Sequence, residues 1–200
     1  SNATLWSSDT SNIICNISPI TGGASLDFDG TNVYLSLGVA PSLGVSTSQA
    51  RSYVFDLNPN TNNGVLFGKY LNFNTSASNI YVSLNGGRIS VSGNGTNSFL
   101  SNATNLISLN QWQRIAITIN SSGQTKIYKN GILIGSGVIN LSSTASSQAF
   151  TWATLNPTTT TGRYNGKVDN FFIWNGEMSA SDVLAYSQCT PLANHPSLIG

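Results

Sequence analysis

The side chains able to move protons, attack bonds or hold metals are scarce in this sequence. There is one Glu, Glu177, one His, His195, two cysteines, Cys15 and Cys189, and six aspartates, Asp9, Asp27, Asp29, Asp56, Asp169 and Asp182. Glycoside hydrolysis needs two carboxyl groups about 5 to 9.5 Å apart across the sugar bond. Only Asp27 and Asp29 share a strand face, and they lead into the turn at Gly30, where solvated strand-end aspartates are the expected role. A Ser-His-Asp triad would have to use His195, which lies in the Pro-flanked tail Asn194-His195-Pro196 with no Gly-x-Ser-x-Gly elbow to accompany it. Two thiols make neither a four-ligand metal site nor a C-x-x-C motif, which leaves two free thiols or one bridge. A bridge would close nearly the whole chain and stabilise it by about 4 to 5 kcal/mol. Catalysis is therefore not expected, and no catalytic residue is assigned.

Binding chemistry is better supplied. Sugars are held by an aromatic face against the ring and by a few placed polar groups on the hydroxyls. Trp152 and the pair Arg163-Tyr164 flank the Thr-rich stretch 156–162, so these three residues are the candidate ligand-binding set if the stretch closes one end of a hairpin. Trp6 and Trp174 read as packing residues near the termini. No cofactor is expected. Calcium, which takes six to eight oxygens, is the one ion for which the residues leave room, through Asp29 with Asn32 or Asp56 with Asn58.

The elements that must position these residues follow from composition and pattern. The 200 residues carry 8 basic and 7 acidic side chains, a net charge of +1, and only 8% charged residues. Solubility rests instead on 30 Ser, 25 Asn and 19 Thr. A near-neutral chain with no Lys/Arg run lacks the basic footprint of a nucleic-acid partner. No apolar run approaches the ~18 residues of a membrane-spanning helix. Neither a nucleic acid nor a membrane is an expected partner.

Short β-branched and aromatic runs alternate with Gly, Asn, Ser and Thr, the pattern of an all-β sandwich. Strands are expected at 25–28, 33–37, 51–57, 65–69, 80–84, 88–92, 98–101, 113–119, 125–129, 132–137, 150–155 and 167–174. In 113–119, Ile115, Ile117 and Ile119 fall on one face and Arg114, Ala116 and Thr118 on the other, as in a strand with one face in the core. Asn130-Gly131 and Asn85-Gly86 each suit the two positive φ angles of a type I′ hairpin. One helix is expected at 180–186, with Ser179 as N-cap, Asp182 completing a capping box, and Val183, Leu184 and Tyr186 as its apolar stripe. The stretches 142–148 and 156–162 read as surface loops.

Five motifs in order carry a resemblance. Ser25-Leu26-Asp27-Phe28-Asp29-Gly30, Trp112-Gln113-Arg114-Ile115-Ala116-Ile117-Thr118, Ile127-Tyr128-Lys129-Asn130-Gly131, Tyr164-Asn165-Gly166-Lys167-Val168-Asp169-Asn170 and Met178-Ser179-Ala180-Ser181-Asp182 resemble the motif series of laminin-G-like domains of the concanavalin A-like lectin and glucanase superfamily. The resemblance spans about residues 25–187. It implies a jelly roll of two packed antiparallel sheets, one of them concave, with the terminal strands adjacent. It also implies structural roles: Trp112 opening a strand on the core, Asn130-Gly131 making a hairpin, and Gly166 and Asp169 fixing the start of the last long strand. Some such domains bind calcium at the sandwich rim. The two-Glu strand motif of the glucanases, the strand motifs of the lyases and the His and Glu-Asp cluster of the manganese and calcium lectins are absent here.

The expected architecture is thus all-β, a two-sheet antiparallel jelly-roll sandwich with one short C-terminal helix. Residues 4–189 form the domain. Ser1-Asn2-Ala3 reads as a cloning remnant, and 190–200 as a tail or the start of a following segment, as in multidomain surface and phage structural proteins. The expected function is non-catalytic recognition, carbohydrate-binding or adhesive, of a surface glycan, in an extracellular or surface-exposed setting. The alternative is a structural or protein-interaction domain of a virion or cell-surface assembly, binding other chains without a sugar site.

Overall fold

The structure is a computed structural model that describes residues 4–6, 13–16, 25–47, 49–69, 80–94, 98–101, 106–143, 147–154, 161–187, 189–191 and 196–199. Among these, fifteen strands, one 3₁₀ turn and one α-helix are formed. In chain order they are β1 (Thr4–Trp6), β2 (Ile13–Asn16), β3 (Leu26–Asp29), β4 (Leu35–Ser36), the 3₁₀ turn Pro41–Leu43, β5 (Arg51–Pro59), β6 (Gly64–Lys69), β7 (Ile80–Asn85), β8 (Arg88–Ser92), β9 (Ser98–Leu100), β10 (Gln113–Ile119), β11 (Gln124–Lys129), β12 (Ile132–Val138), β13 (Thr151–Trp152), β14 (Asn165–Trp174), α1 (Ala180–Ala185) and β15 (Thr190–Pro191). The first large sheet runs β12-β11-β10-β5-β14-β3 and the second runs β4-β13-β6-β7-β8-β9, all pairs antiparallel. A small third sheet, β1-β2-β15, brings the two ends of the chain together. Cys189 just before β15 is disulfide-bonded, and Cys15 is the other cysteine of the sequence.

The two large sheets close on an aromatic core. Phe67 of β6 sits at its centre, with the rings of Tyr53, Phe55, Phe150, Trp152 and Phe171 at 4.8 to 5.6 Å between centroids. Edge-on and tilted rings gain quadrupole attraction beyond burial. Ile115, Ile117 and Ile119 face this core, fully buried, as their alternation requires. The opposite face of β10 is different. Arg114, Ala116 and Thr118 are also buried, because α1 and the segment after it lie over that face of the first sheet. Met178, Val183, Tyr186 and Cys189 form a second apolar cluster there with Val54, Ala116 and Tyr128. Leu184, expected in the helix stripe, instead points outward and is 57% exposed.

A buried ion pair lies beside this cluster. The Arg114 guanidinium donates through Nε and Nη2 to the two carboxylate oxygens of Asp56, at 2.7 and 2.6 Å. Its Nη1 donates to the carbonyls of Tyr186 and Cys189, at 2.7 and 2.5 Å. Asp56 also accepts from Asn170 Nδ2 at 2.7 Å. Asn170 has φ +49 and lies where the β14–β5 register slips between Asp169 and Phe172, so this bulge aims its amide at the pair. Asp56 is therefore not part of a cation site, and its carboxylate is committed to Arg114 and Asn170.

Turn chemistry sets the hairpins. Asn130 (φ +51) and Gly131 (φ +81) join β11 to β12 as expected, and Asn130 Oδ1 accepts from the Arg114 backbone N–H at 2.9 Å. Between β7 and β8 the positive angles belong to Gly86 (φ +57) and Gly87 (φ +73), with Asn85 paired to Arg88. The expected Asn85-Gly86 turn is shifted by one residue because Gly reaches φ > 0 at lower cost than Asn. Gly166, at φ +141, is required by space: a Cβ there would lie 2.5 Å from the Asn58 carbonyl oxygen. The helix begins as expected, with both halves of the Ser179–Asp182 capping box formed.

Two predictions follow from these interactions. Arg114→Met strands the Asp56 carboxylate and two carbonyls away from water, so urea denaturation should show a loss of about 3–5 kcal/mol. A loss under about 1 kcal/mol would mean that the pair is not a buried constraint. Asp29 Oδ1 accepts three backbone N–H groups, from Thr31, Asn32 and Val33, at 2.8, 2.8 and 3.0 Å. These bonds hold its pKa well below the ordinary aspartate value, so its contribution is complete above that value and is lost as pH falls through the lowered one. Below about pH 4, Asp29→Asn should unfold with a shallower pH dependence than the parent. Parallel acid-unfolding curves would contradict this.

Candidate functional site

The face of β7 turned away from the core carries Tyr81, Ser83 and Asn85, alternating with the buried Ile80, Val82 and Leu84. Beside it, Val65 of β6 pairs with Ser83, and its N–H donates to the Gly162 carbonyl at 2.8 Å. Val65 also forms a parallel bridge with Arg163. These contacts frame an open groove of about 430 Å³ lined by Gly64, Val65, Tyr81, Ser83, Leu84, Asn85, Thr161 and Gly162. Its size lies within the range of about 300–1,000 Å³ typical of ligand pockets. Hydroxyls, an amide and backbone groups supply its polar contacts, and among the described residues no carboxylate, thiol or imidazole lines it. Burial raises the Tyr81 phenol pKa, so it stays a neutral hydrogen-bonding group at ordinary pH.

Arg163 follows the groove-lining Gly162, and its guanidinium carbon lies 5.1 Å from the centroid of the Tyr34 ring. Tyr34 is 40% exposed and sits just before β4, the edge strand of the second sheet. Cation and ring thus form one unit, joined to the groove through the backbone of Gly162 and Arg163. Tyr34 was not among the expected residues. Its signal, an aromatic within an apolar run, is the same signal a core residue gives.

The other expected ligand residues are placed differently. Trp152 is 2% exposed and packs among Phe55, Phe67 and Phe171 in the core. Its strand, β13, is only two residues long, and the pairings Trp152↔Phe67 and Trp152↔Leu35 on its two sides fix which way it faces, which is inward. Tyr164 is also buried, edge-on to Phe28, with its hydroxyl donating to the Lys167 carbonyl at 3.2 Å. Burial, with the Asp27 charge adding, pushes its phenol pKa far up. Neither ring offers a face to a ligand in this structure. Arg163, with 7% of its surface exposed, is the member of the expected set that directly follows a groove-lining residue, Gly162.

The candidate ion ligands are likewise committed. Asp29 closes its own turn, and Asp56 holds Arg114. Asp27 and Asp29 project outward on the edge strand β3, with Asp27 paired across from Lys167. Among the described residues, no three His, Cys, Asp or Glu side chains converge on a metal position. His195 lies outside the described residues, as do residues 144–146 and 156–160 of the expected loops.

Known proteins bear out the architecture. Domain 4 of AbnA, a GH43 extracellular arabinanase from Geobacillus stearothermophilus, solved with arabinotriose, superposes with a TM-score of 0.62 at 20% identity, covering 90% of this chain and 82% of that one. The CBM40 of the Ruminococcus gnavus IT-sialidase, bound to α2,3 sialyllactose, gives 0.65 at 12% identity over 82% and 97%. The binding domain of botulinum neurotoxin serotype G gives 0.57 at 20% identity over 84% and 47%. At these identities the likeness establishes the fold. No curated protein matches the sequence. The laminin G family profile of the concanavalin A-like lectin/glucanases superfamily matches residues 29–184, and with most of the chain covered by that match and both sheets in place, the protein belongs to this family.

Proposed function

We propose that this domain is a non-catalytic carbohydrate-recognition module of a secreted or surface-exposed protein, with the groove beside Tyr34 and Arg163 as its glycan site. The observation that carries this reading is a partly exposed aromatic ring, covered on one side by a guanidinium, next to a groove whose walls present hydroxyl and amide groups. Such a site places a ring against a sugar's C–H face and hydrogen-bonding groups against its hydroxyls. Two structures of the same fold were solved with oligosaccharides bound, which supports a sugar as ligand here. The disulfide at Cys189 supports an oxidising, extracellular setting. Among the described residues no carboxylate or imidazole lines the groove for proton transfer, which supports binding over catalysis.

A second reading, assembly with other chains of a surface or virion structure, is favoured by β12. This edge strand is uncharged, and Ile132, Leu133 and Val138 on it are 69, 52 and 59% exposed. Such an edge is a template for strand addition.

A screen against a glycan array and insoluble polysaccharides, with and without calcium, separates the two. The carbohydrate reading expects specific binding that Tyr34→Ala weakens at least tenfold while leaving thermal stability unchanged. Trp152→Ala, by contrast, should cost about 3–5 kcal/mol of stability. Binding indifferent to Tyr34→Ala would remove the site from this groove. No binding at all, together with concentration-dependent oligomers that Ile132→Lys disperses, would favour the assembly reading.

A further inference from the structure

The inward side chains of the second sheet form one row across four strands. Leu35 of β4 is paired with Trp152 of β13, Trp152 with Phe67 of β6, and Phe67 with Val82 of β7. All four pack in or against the core. Successive side chains of a strand point to opposite faces. Tyr34, which precedes Leu35, and Tyr81, which precedes Val82, therefore both stand on the outer face. Their surroundings agree: Tyr34 is partly exposed with the Arg163 guanidinium against its ring, and Tyr81 lines the groove.

From β4 to β7 there are three steps of about 4.8 Å between neighbouring strands, so these two residues stand about 14 Å apart across the sheet. The surface beside Tyr81 is low. Opposite it on β6 lies Gly68, which has no side chain, and next to Gly68 lies Thr151, whose hydroxyl turns back to donate to the Thr154 carbonyl at 2.8 Å. A Cβ on Gly68 would lie 2.6 Å from the Ile80 carbonyl oxygen, so no larger residue fits there. A sugar that stacks on an aromatic ring covers about one ring face. Two tyrosines set this far apart on one face therefore offer two separate platforms, and Ser83, Asn85 and Thr161 supply polar groups beside the second.

We propose that the site takes a run of several linked sugars within a glycan chain rather than a single terminal sugar, with Tyr81 as its second stacking residue. This rests on the carbohydrate reading above and names the class of glycan. Tyr34 and Tyr81 each hold one sugar of the run, and the sugars between them bridge the low surface at Gly68 and Thr151. The groove is open, so the chain continues past both rings. A site for chain ends would instead enclose most of its ligand's surface, as small-molecule pockets do.

The test measures binding of the full chain to oligosaccharide ladders, from monosaccharide to hexasaccharide, prepared from cellulose, xylan and arabinan, and to the parent polysaccharides. On at least one ladder, affinity should rise tenfold or more between the disaccharide and the longer members. Reducing the end sugar of the hexasaccharide to its alditol should leave its affinity unchanged. Tyr81→Ala should flatten the rise with length, and Tyr81→Phe, which keeps the ring, should retain it. A purely structural role for Tyr81 would lower thermal stability and leave the rise in place. The more exposed Tyr34 gives a second variant, and Tyr34→Ala should flatten the rise as well. Full affinity for a monosaccharide or disaccharide would overturn the inference while leaving the carbohydrate function standing. So would affinity lost on reduction of the end sugar, or a rise with length that survives Tyr81→Ala. A blank on every ladder and parent polysaccharide would also overturn it, and a blank glycan array besides would remove the carbohydrate reading itself.

Discussion

The buried contact between Arg114 and Asp56 joins parts of the chain that nothing local would bring together. It ties the central strands β5 and β10 to each other, takes up the bulge of β14 through Asn170, and anchors the chain after α1 through two carbonyls. A buried charge pair repays its desolvation only when its remaining donors and acceptors are also satisfied. Here the added partners are backbone carbonyls at the end of the helix and an amide on a bulge, so the pair is complete only when helix and bulge are in place. The ion pair thereby acts as a specification of how the C-terminal segment lies on the first sheet. The disulfide at Cys189 lies at the same junction, next to the small sheet that unites the chain ends.

This arrangement divides labour between the sheets. The outer face of the first is occupied by Met178, Val183 and Tyr186 and by the Arg114 network, so most of its side chains serve stability. The second sheet carries the groove and the exposed ring at its border. Its strands combine inward aliphatic residues with outward small polar ones, as in Ile80, Val82 and Leu84 against Ser83 and Asn85. That leaves a surface that hydrogen-bonds without being strongly hydrated by charge, a suitable match for the alternating polar and apolar faces of a sugar ring.

Much of the fold was legible because its signals are local. The strands expected at 113–119 and 88–92 have the boundaries observed, and the capping box at Ser179 starts the helix where expected, although it ends at Ala185, one residue earlier. The strands β1, β2 and β15 were not legible, since two to four residues carry no period and their pairing is between chain ends. Alternation also placed Arg114 and Thr118 opposite the core but could not show that a helix more than sixty residues later covers that face. The site was harder for the same reason. Trp152 and Tyr34 are both aromatic residues in β-prone runs, and what separates them is that Trp152 is paired against Phe67 at the centre of the sandwich while Tyr34 lies beyond the last pair of an edge strand. Arg163 was recognised from its neighbours in sequence, but the ring it meets lies on a distant strand.

The central claim is that a glycan binds on the second sheet beside Tyr34 and Arg163. The most direct measurement is a backbone-amide NMR titration of the isotopically labelled chain with an oligosaccharide identified as a binder. The account predicts saturable shifts confined to Tyr34, Val65, Ser83, Asn85 and Thr161 through Arg163. Shifts centred on Ile132 to Val138, or spread over the first sheet with the groove silent, would contradict it.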